Sequence, residues 1–466
     1  MGVNVSSWQL ARAVAATGQL GVVSGTGADA ILARGLQDGD SGGHLRRALA
    51  EFPDQEMAQR ALRRYFIEGG RPAGKAYRPH AQLTVSPRAT VIELMVLSNF
   101  AQVWLAKEGH SGQVGINLLE KIQMATPWTL VGAMLAGVDV VLMGAGIPRE
   151  IPRLLDDLAT GAEGSVEVTV HGGTHPVRAT ADPRALLGEL LPPLRRPQFL
   201  AIVSLHHLAS YLHRDPAIRP DGFVVEGPVA GGHSTPPRGR LKLDDDGQPI
   251  YDVKDLADLQ AMTAIGLPYW LAGAYATPER LAEALAAGAA GIQCGTIFAL
   301  SEESGFDRSL RRDALAALAD DTLVVRNDPL ASPTGFPFKV GTLAGTLADP
   351  QRDATRERIC DLSYLRVPFE RPDGSLGYRC AAEPVDAYVR KGGTIEDTVG
   401  RACLCNALTA AAGFGQTRDA GREIPLLTLG QDLEAARRLQ ELHPQGWTAD
   451  EAVTWLLSRT PVAAPA

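Results

Sequence analysis

The sequence contains few cysteines, few aromatic residues, no long run of basic residues and no long run of apolar residues. Each of these shortages argues against one class of protein. Five cysteines among 466 residues fit a reducing compartment better than a disulfide framework. Aromatic residues make up 6%, and the net charge is -8 with no long run of lysine and arginine, so we expect no nucleic-acid partner. No apolar run is long enough to span a bilayer, and the N-terminus has no basic stretch followed by an apolar one. We therefore expect a cytoplasmic protein with no membrane contact.

What the sequence does contain is a regular alternation of strand-like and helix-like patterns. Seven short apolar runs read as strands, beginning near Leu20, Val114, Val138, Leu200, Phe223, Tyr269 and Ile292. Strands that alternate with helices pair in parallel. The pattern predicts an α/β fold, a TIM (β/α)8 barrel whose first strand is apparently missing. A doubly wound parallel sheet is the alternative.

The pattern changes after Phe298, which predicts a division of the chain into three parts. The barrel is assigned to residues 1–299, and a smaller, mainly helical substrate or lid domain to residues 300–425. Residues 426–466 are expected to form helices that return to the barrel, followed by a disordered tail from 461 to 466.

The ten residues from Val224 to His233 are the stretch with the clearest functional pattern. An apolar strand ends in small residues and then presents one histidine. Glycines after a strand let the backbone approach a ligand closely. A histidine there can exchange a proton near neutral pH. A glycine turn with a surface histidine is the alternative interpretation.

Two later strands end in small or hydroxyl residues and predict a phosphate-binding site. One ends at Ala272-Gly273-Ala274 and the next at Gly295-Thr296. A barrel of parallel strands usually binds phosphate in the loops after its last two strands. Backbone amides and the Thr296 hydroxyl would be the hydrogen-bond donors.

Four cysteines and one lysine in the second part are weaker candidates. Cys360, Cys380, Cys403 and Cys405 have the number and chemistry of a four-thiolate zinc site, but their spacing fits no tight zinc knuckle. Buried free thiols are the favoured interpretation, and no metal ligand is assigned. Lys339 could meet an anionic substrate, although a lone lysine is more often a solvated surface charge.

These residues together resemble the nitronate monooxygenase family, formerly called 2-nitropropane dioxygenases. The resemblance rests on Val225-Glu226-Gly227, Ala230-Gly231-Gly232-His233, Ala272-Gly273, Gln293-Cys294-Gly295-Thr296 and Glu303-Ser304, and it covers roughly residues 1–345. Flavin-dependent enoyl reductases, including trans-acting ones of polyketide and fatty-acid synthesis, share the same barrel pattern. The resemblance implies a barrel that binds FMN, which supplies the redox chemistry.

The resemblance also assigns roles to individual residues. It implies that His233 is the catalytic residue, a base or hydrogen-bond donor that faces the substrate. The implied flavin and phosphate contacts are Asn117, Glu226, Gly231, Gly273, Gln293, Cys294, Gly295 and Thr296. Glu226 stands where the monooxygenases usually carry glutamine, and a glutamate there looks more like the enoyl reductases.

The expected function is therefore an FMN-dependent oxidoreductase with a small-molecule substrate. The leading hypothesis is oxidation of an alkyl nitronate by oxygen to a carbonyl compound and nitrite. One alternative is an enoyl reductase that uses NAD(P)H to reduce enoyl thioesters, and another is a flavin-binding protein without turnover. A homodimer is compatible with the resemblance.

Overall fold

The computed structural model describes residues 2–349, 356–419 and 421–459. The tail from 461 to 466, predicted to be disordered, lies outside the described residues. Helices and parallel strands alternate through the first 300 residues, and hairpins and helices follow.

The centre of the fold is a sheet of seven parallel strands. Two antiparallel strands interrupt the series as a hairpin, β4 (Gly164–Val168) and β5 (Val177–Ala181). The strands of the main sheet are β1 (Gly21–Ser24), β2 (Val114–Leu119), β3 (Val140–Gly144), β6 (Gln198–Val203), β7 (Gly222–Glu226), β8 (Tyr269–Ala272) and β9 (Gly291–Gln293).

The strand order confirms the predicted class and barrel type. The order is β1-β2-β3-β6-β7-β8-β9, which follows the chain without reversal. A doubly wound sheet reverses direction at a switch point, so that alternative is wrong. The seven strands of the main sheet are those that the sequence predicted, and in the described residues this sheet has no eighth strand. In the described part of the chain, the two outer strands β1 and β9 each pair with one neighbouring strand only.

The register of three neighbouring strands places candidate site residues side by side. Glu226 at the end of β7 pairs with Ala272 of β8, and Ala272 pairs with Gln293 of β9. Because all three strands are parallel, the loops that follow them leave the sheet at the same edge. The sequence stretch around His233 and the predicted phosphate loops are therefore neighbours.

Seventeen α-helices lie in the described parts of the chain. Many of them follow a strand in the chain. They are α1 (Trp8–Ala16), α2 (Ala28–Gln37), α3 (His44–Ala50), α4 (Gln55–Tyr65), α5 (Ala89–Lys107), α6 (Thr126–Leu135), α7 (Ile151–Ala159), α8 (Pro183–Leu187), α9 (His206–Arg214), α10 (Leu259–Ile265), α11 (Pro278–Ala286), α12 (Thr296–Ala299), α13 (Arg308–Ala319), α14 (Val385–Arg390), α15 (Leu404–Thr409), α16 (Glu434–Leu442) and α17 (Ala449–Leu457).

Helix ends follow local sequence signals. The Thr277 side chain accepts a hydrogen bond from the backbone N–H of Arg280 at 3.2 Å, and Pro278 occupies the first position of α11. A hydroxyl cap satisfies a backbone donor that has no partner within the helix, and proline loses nothing at that position. These signals fix where β8 gives way to α11, and so fix the loop that carries Gly273.

α5 is long and apolar enough to cross a membrane by length and composition, and it is the one such helix in the described ranges. Within its apolar 18-residue window, 72% is buried inside the protein. Leu97, Val103 and Leu105 have no exposed surface. It packs against α1, α2 and α6, as a core helix of a large α/β protein does.

The region from 300 to 425 contains antiparallel strands as well as helices. Two hairpins stand out in it: one joins β10 (Val324–Asp328) to β11 (Phe338–Thr342), the other β12 (Val367–Glu370) to β13 (Leu376–Arg379). A short pair, β14 (Thr417–Arg418) and β15 (Gly421–Arg422), follows. The three-part division of the chain stays a prediction.

The last two helices pack beside the end of the main sheet. Trp447 is fully buried, and its indole N–H donates to the carbonyl oxygen of Ile297 at 2.7 Å. Val5, Leu310 and Leu439 belong to the same apolar cluster. This apolar cluster holds the segment that follows β9 in place, and the predicted phosphate loop lies in that segment.

Candidate active site

A single cavity of about 610 Å³ opens at the carboxyl ends of the strands and extends into the interior of the sheet. This size is usual for small-molecule and cofactor sites. All nine residues that the sequence proposed for the site line it: Asn117, Glu226, Gly231, His233, Gly273, Gln293, Cys294, Gly295 and Thr296. The structure thus brings them together, while their individual roles stay predictions.

His233 is held in the cavity wall by contacts from the hairpin β10–β11. Its Nε2 lies 2.7 Å from the Ser332 hydroxyl oxygen. Its ring meets Phe338 edge to face, with centroids 4.8 Å apart, and its backbone forms a bridge with the same residue. These contacts hold the half-buried imidazole in one orientation, and its role stays a prediction.

The imidazole of His233 is uncharged at neutral pH. Burial, and then the positive charge of Lys121, lowers its pKa from 6.5 to about 4. Burial disfavours the charged form of a base, and a nearby cation does the same. His233 can therefore accept a proton or a hydrogen bond from a substrate at pH 7.

Ser332 links the His233 imidazole to Thr334 through hydrogen bonds. Its oxygen also accepts from the Thr334 backbone N–H at 3.2 Å and lies 2.8 Å from the Thr334 hydroxyl. A hydroxyl has one proton and two acceptor sites, so Ser332 donates to only one of His233 and Thr334. Sequence reasoning missed Ser332, because it lies 99 positions from His233 along the chain.

Two glycines let the loops after β7 and β8 pack closely. A Cβ on Gly231 would lie 3.0 Å from the backbone nitrogen of Gly430. Gly273 has a φ of +85°, and a Cβ there would lie 3.2 Å from the backbone nitrogen of Ala230. Side chains at these positions would push the loops apart.

The end of β9 carries polar groups toward the cavity. The Thr296 hydroxyl oxygen accepts a hydrogen bond from the Gly430 backbone N–H at 2.9 Å, which leaves the hydroxyl proton for another acceptor. The Gln293 Oε1 atom is buried and has no hydrogen-bond partner in the structure. Burial raises the pKa of the neighbouring Cys294 thiol to about 12, so this cysteine stays protonated and uncharged.

Lys339 is buried, and the interpretation of it as a solvated surface charge is wrong. It has no exposed surface, and its Nζ donates to the Pro228 carbonyl oxygen at 2.7 Å and to the Ser234 hydroxyl at 3.1 Å. Burial lowers its pKa to about 7, against the opposing effect of Glu226. The ammonium thereby fastens the loop between β7 and His233.

Glu226 is an acidic residue in the lining of the cavity. Burial raises its pKa to about 7, although the positive charge of Lys339 acts in the opposite direction. A carboxyl group with such a pKa exchanges its proton near neutral pH. The structure therefore adds a buried amine, Lys339, to the Glu226 and His233 side chains that the sequence proposed for the site.

The four cysteines of the second part lie together beside the same cavity. Cys405 lines both the large cavity and a small void that Cys360, Cys380 and Cys403 also line. All are free thiols. Burial first, and then the three neighbouring thiols, raises the pKa of Cys405 well above its usual value.

Comparison with known proteins tests the resemblance. The family model described as nitronate monooxygenase matches residues 200–329, the segment that contains the His233 loop and the predicted phosphate strand. The resemblance is confirmed over this segment. It runs from β6 through β10, so the matched residues include eight of the nine predicted site residues, all except Asn117.

The curated relatives are dehydrogenases and match only in part. A (3aS,4S,5R,7aS)-5-hydroxy-7a-methyl-1-oxo-octahydro-1H-indene-4-carboxyl-CoA dehydrogenase from Mycobacterium tuberculosis is 26% identical over 225 residues, 44% of this chain and 59% of that protein. The protein of the same name from Rhodococcus jostii is 33% identical over 106 residues, 23% of this chain and 26% of that protein. The chain thus spans well under two thirds of both relatives. Both names, like that of the matched family, describe oxidoreductases.

Two solved structures have a distantly similar shape. FabK from Thermotoga maritima superposes with a TM-score of 0.44 and 16% identity, covering 97% of this chain and 88% of that one. Nitroalkane oxidase from Streptomyces ansochromogenes gives a TM-score of 0.43 and 16% identity, covering 98% and 93%.

Proposed function

We propose that the protein is an FMN-dependent oxidoreductase that oxidises alkyl nitronates with oxygen to carbonyl compounds and nitrite. The observation that carries the proposal is the cavity that an uncharged His233 lines together with all eight residues proposed for flavin binding. The family match over residues 200–329 supports the same chemistry. When bound, FMN would supply the electron acceptor that these side chains cannot provide.

The residues present fit a flavin. The Gln293 Oε1 atom is buried without a partner, so a ring N–H of a bound group would satisfy it. Gly231 and Gly273 line the same cavity, and their lack of side chains lets the loops around it pack closely. Thr296 and the backbone of Gly295 would hold the phosphate group, and Asn117 would contact the ring system from the end of β2.

His233 would act on the substrate through its second ring nitrogen. Nε2 is engaged by Ser332, and Nδ1 has no hydrogen-bond partner among the residues that the structure describes. If Ser332 donates to Nε2, Nδ1 carries the proton and can bind a nitro oxygen. If Ser332 instead donates to Thr334, Nε2 carries the proton and Nδ1 can accept one. The two arrangements serve binding of a nitronate and proton abstraction.

The second candidate is reduction of an enoyl thioester by NAD(P)H. The apolar part of the cavity favours it, because it extends past the sheet between α1, α11 and α17, where Leu10, Val14, Leu281 and Leu456 line it. An acyl chain would fit such a lining. The names of the curated relatives, which describe a carboxyl-CoA substrate, favour a thioester as well.

Anaerobic mixing distinguishes the two candidates. The purified protein, if it carries flavin, is mixed separately with an alkyl nitronate and with NADPH while flavin absorbance is followed. We expect the nitronate to bleach the flavin rapidly, and His233→Ala to keep the flavin but to slow bleaching by ~100-fold or more.

Three outcomes would contradict the proposal in different ways. Bleaching by NADPH but not by nitronate would favour the enoyl reductase. Bound flavin that neither reagent reduces would indicate a flavin-binding protein without turnover. A colourless protein that fails to take up added FMN would contradict every flavin-based function.

A further inference from the structure

The loop that carries Ser332 is held by the side chain of an arginine from another part of the chain. Arg401 lies in the segment between α14 and α15, and its Nη1 donates to the carbonyl oxygens of Leu330 and Ser332, both at 2.7 Å. Its Nε donates to the carbonyl oxygen of Asp397 at 3.1 Å. A guanidinium has five N–H donors in a rigid plane, so these bonds can form together. Arg401 therefore ties the Ser332 loop to the segment that precedes α15.

Backbone and carboxylate groups add further hydrogen bonds to the same stretch of the loop. The Ala402 N–H donates to the Ala331 carbonyl oxygen at 2.9 Å. Asp328 Oδ1 accepts from the backbone N–H groups of Leu330 and Ala331, at 2.7 and 3.0 Å. The stretch that leads into the serine is therefore held at its N–H groups as well as at its carbonyl groups.

The fixed backbone sets the direction of the Ser332 side chain. Ser332 has no exposed surface, and its hydroxyl oxygen lies 2.7 Å from Nε2 of His233. Its carbonyl oxygen accepts from the Gly335 N–H at 3.2 Å as well as from Arg401. A hydrogen bond weakens steeply when its length or angle leaves a narrow range. A shift of the loop backbone would therefore disturb the contact with the imidazole.

We propose that Arg401 is a positioning residue for His233, and that it acts through the Ser332 loop to hold the imidazole in the orientation and tautomer that the reaction uses. The tautomer of a histidine is set by the hydrogen bond that one of its ring nitrogens makes, and Ser332 supplies that bond. Arg401 does not itself line the cavity, so its effect on the substrate is indirect. Because it concerns turnover by His233, this inference rests on the proposed function.

The same segment continues into the wall of the cavity. α15 begins at Leu404, shortly after Arg401, and Leu404, Cys405 and Leu408 line the cavity. Arg401 thus lies where the wall formed by α15 meets the Ser332 loop. Its hydrogen bonds couple the position of this wall to the position of the imidazole.

Nitrogen NMR of the His233 ring tests the inference without any turnover. The protonated and the bare ring nitrogen differ in their signals, so the two signals report the tautomer. Arg401→Met removes the bonds to both loop carbonyls, and we expect both His233 signals to move toward those of a mixture of tautomers. Arg401→Lys keeps the charge and three donors, so it should retain part of the original signals. Unmoved signals in Arg401→Met would overturn the proposal.

A folding defect in the methionine variant does not remove this test. Arg401→Gln has a shorter side chain whose amide carries two N–H donors instead of five. It then takes the place of Arg401→Met, and the same criterion applies to its His233 signals.

A double-mutant cycle shows whether Arg401 acts through Ser332. Arg401→Met alone should lower kcat by ~10-fold and change the pH profile of kcat in the same way as Ser332→Ala. When the serine is already replaced, Arg401→Met should lower kcat no further, because the hydroxyl that it positions is gone. Two effects that multiply in the double variant would contradict an action through Ser332.

Arg379→Met is the matched control. The Arg379 Nη1 donates to a backbone carbonyl oxygen, that of Lys391, at 2.8 Å, and the guanidinium lies over the rings of Phe369 and Tyr388. Its loss should lower the Tm and yet leave the His233 signals in place. Equal changes of these signals in Arg379→Met and Arg401→Met would indicate general loosening of the structure and would overturn the specific role.

The two measurements separate this inference from the proposed function. Altered His233 signals in Arg401→Met, in a protein that oxidises no nitronate, would contradict the function and leave the positioning of the imidazole standing. An active protein whose kcat, pH profile and His233 signals are the same in Arg401→Met would do the reverse.

Discussion

Acidification should reveal that His233 stays uncharged far below the pH at which a histidine usually gains its proton. Burial and the charge of Lys121 lower its pKa from 6.5 to about 4. A shift of this size corresponds to ~3 kcal/mol between the two protonation states. The His233 ring therefore has a lower pKa in the folded protein than in the unfolded chain.

The sign of the effect on stability follows from the lowered pKa. Between pH 6.5 and about 4 the unfolded chain binds a proton at His233 that the folded chain does not. The free energy of unfolding therefore falls as the pH drops through this window and rises as the pH increases. The contribution of His233, ~3 kcal/mol, is fully present above the upper limit and absent below the lower one.

Nitrogen NMR of labelled histidine rings measures the pKa directly, and His233→Gln assigns the signal. Urea unfolding between about pH 7 and pH 5 measures the linked stability, whose slope should decrease in His233→Gln. His175→Gln is the matched control, because His175 is exposed, and it should keep the original slope. A His233 signal that titrates near its ordinary value, or an unchanged slope in His233→Gln, would refute the reasoning.

Three substitutions test other parts of the site. Ser332→Ala removes the partner of the His233 imidazole. If His233 acts on the substrate as proposed, this variant should keep flavin, slow turnover ~10-fold or more and change the pH profile of kcat; an unchanged profile would rule out the positioning role. Gly231→Ala places a Cβ 3.0 Å from a neighbouring backbone nitrogen and should lower the Tm by several degrees, whereas Gly295→Ala, with open space around it, should not. Lys339→Met removes two buried hydrogen bonds; calorimetry should show a loss of ~3 kcal/mol, and a Tm equal to that of the unmodified protein would contradict a stabilising role for these hydrogen bonds.

Local patterns were sufficient to predict most of the sheet. Most strands of the main sheet are short apolar runs with glycine or another small residue close behind them, as at Gly273 and Gly295, and several helix starts carry a side-chain cap, as at Thr277. Such signals act within a few residues, so a sequence shows them directly. The nine site residues were assigned mainly by the family resemblance, and they line one cavity because parallel strands end at one edge of the sheet.

Long-range packing decided the features that the sequence did not reveal. Lys339 carries no local sign of burial, and its hydrogen bond to Pro228 joins residues 111 positions apart. Ser332 lies 99 positions from His233. The pKa values of Glu226 and Lys339 depend on how deeply other segments cover them, and no window of sequence contains that information.

The sequence by itself determined the parallel α/β fold, the order of the seven strands and the place of His233 at their carboxyl ends. It could do so because hydrophobic periodicity and glycine positions can be read from short stretches of sequence. Only the tertiary structure decided what surrounds that histidine and where the four cysteines lie. Hairpin β10–β11 supplies Ser332, Phe338 and Lys339 to the site, and α15 brings Cys403 and Cys405 to Cys360 and Cys380. Burial and charge depend on such distant contacts, so the chemistry of the site became visible only when the chain was folded.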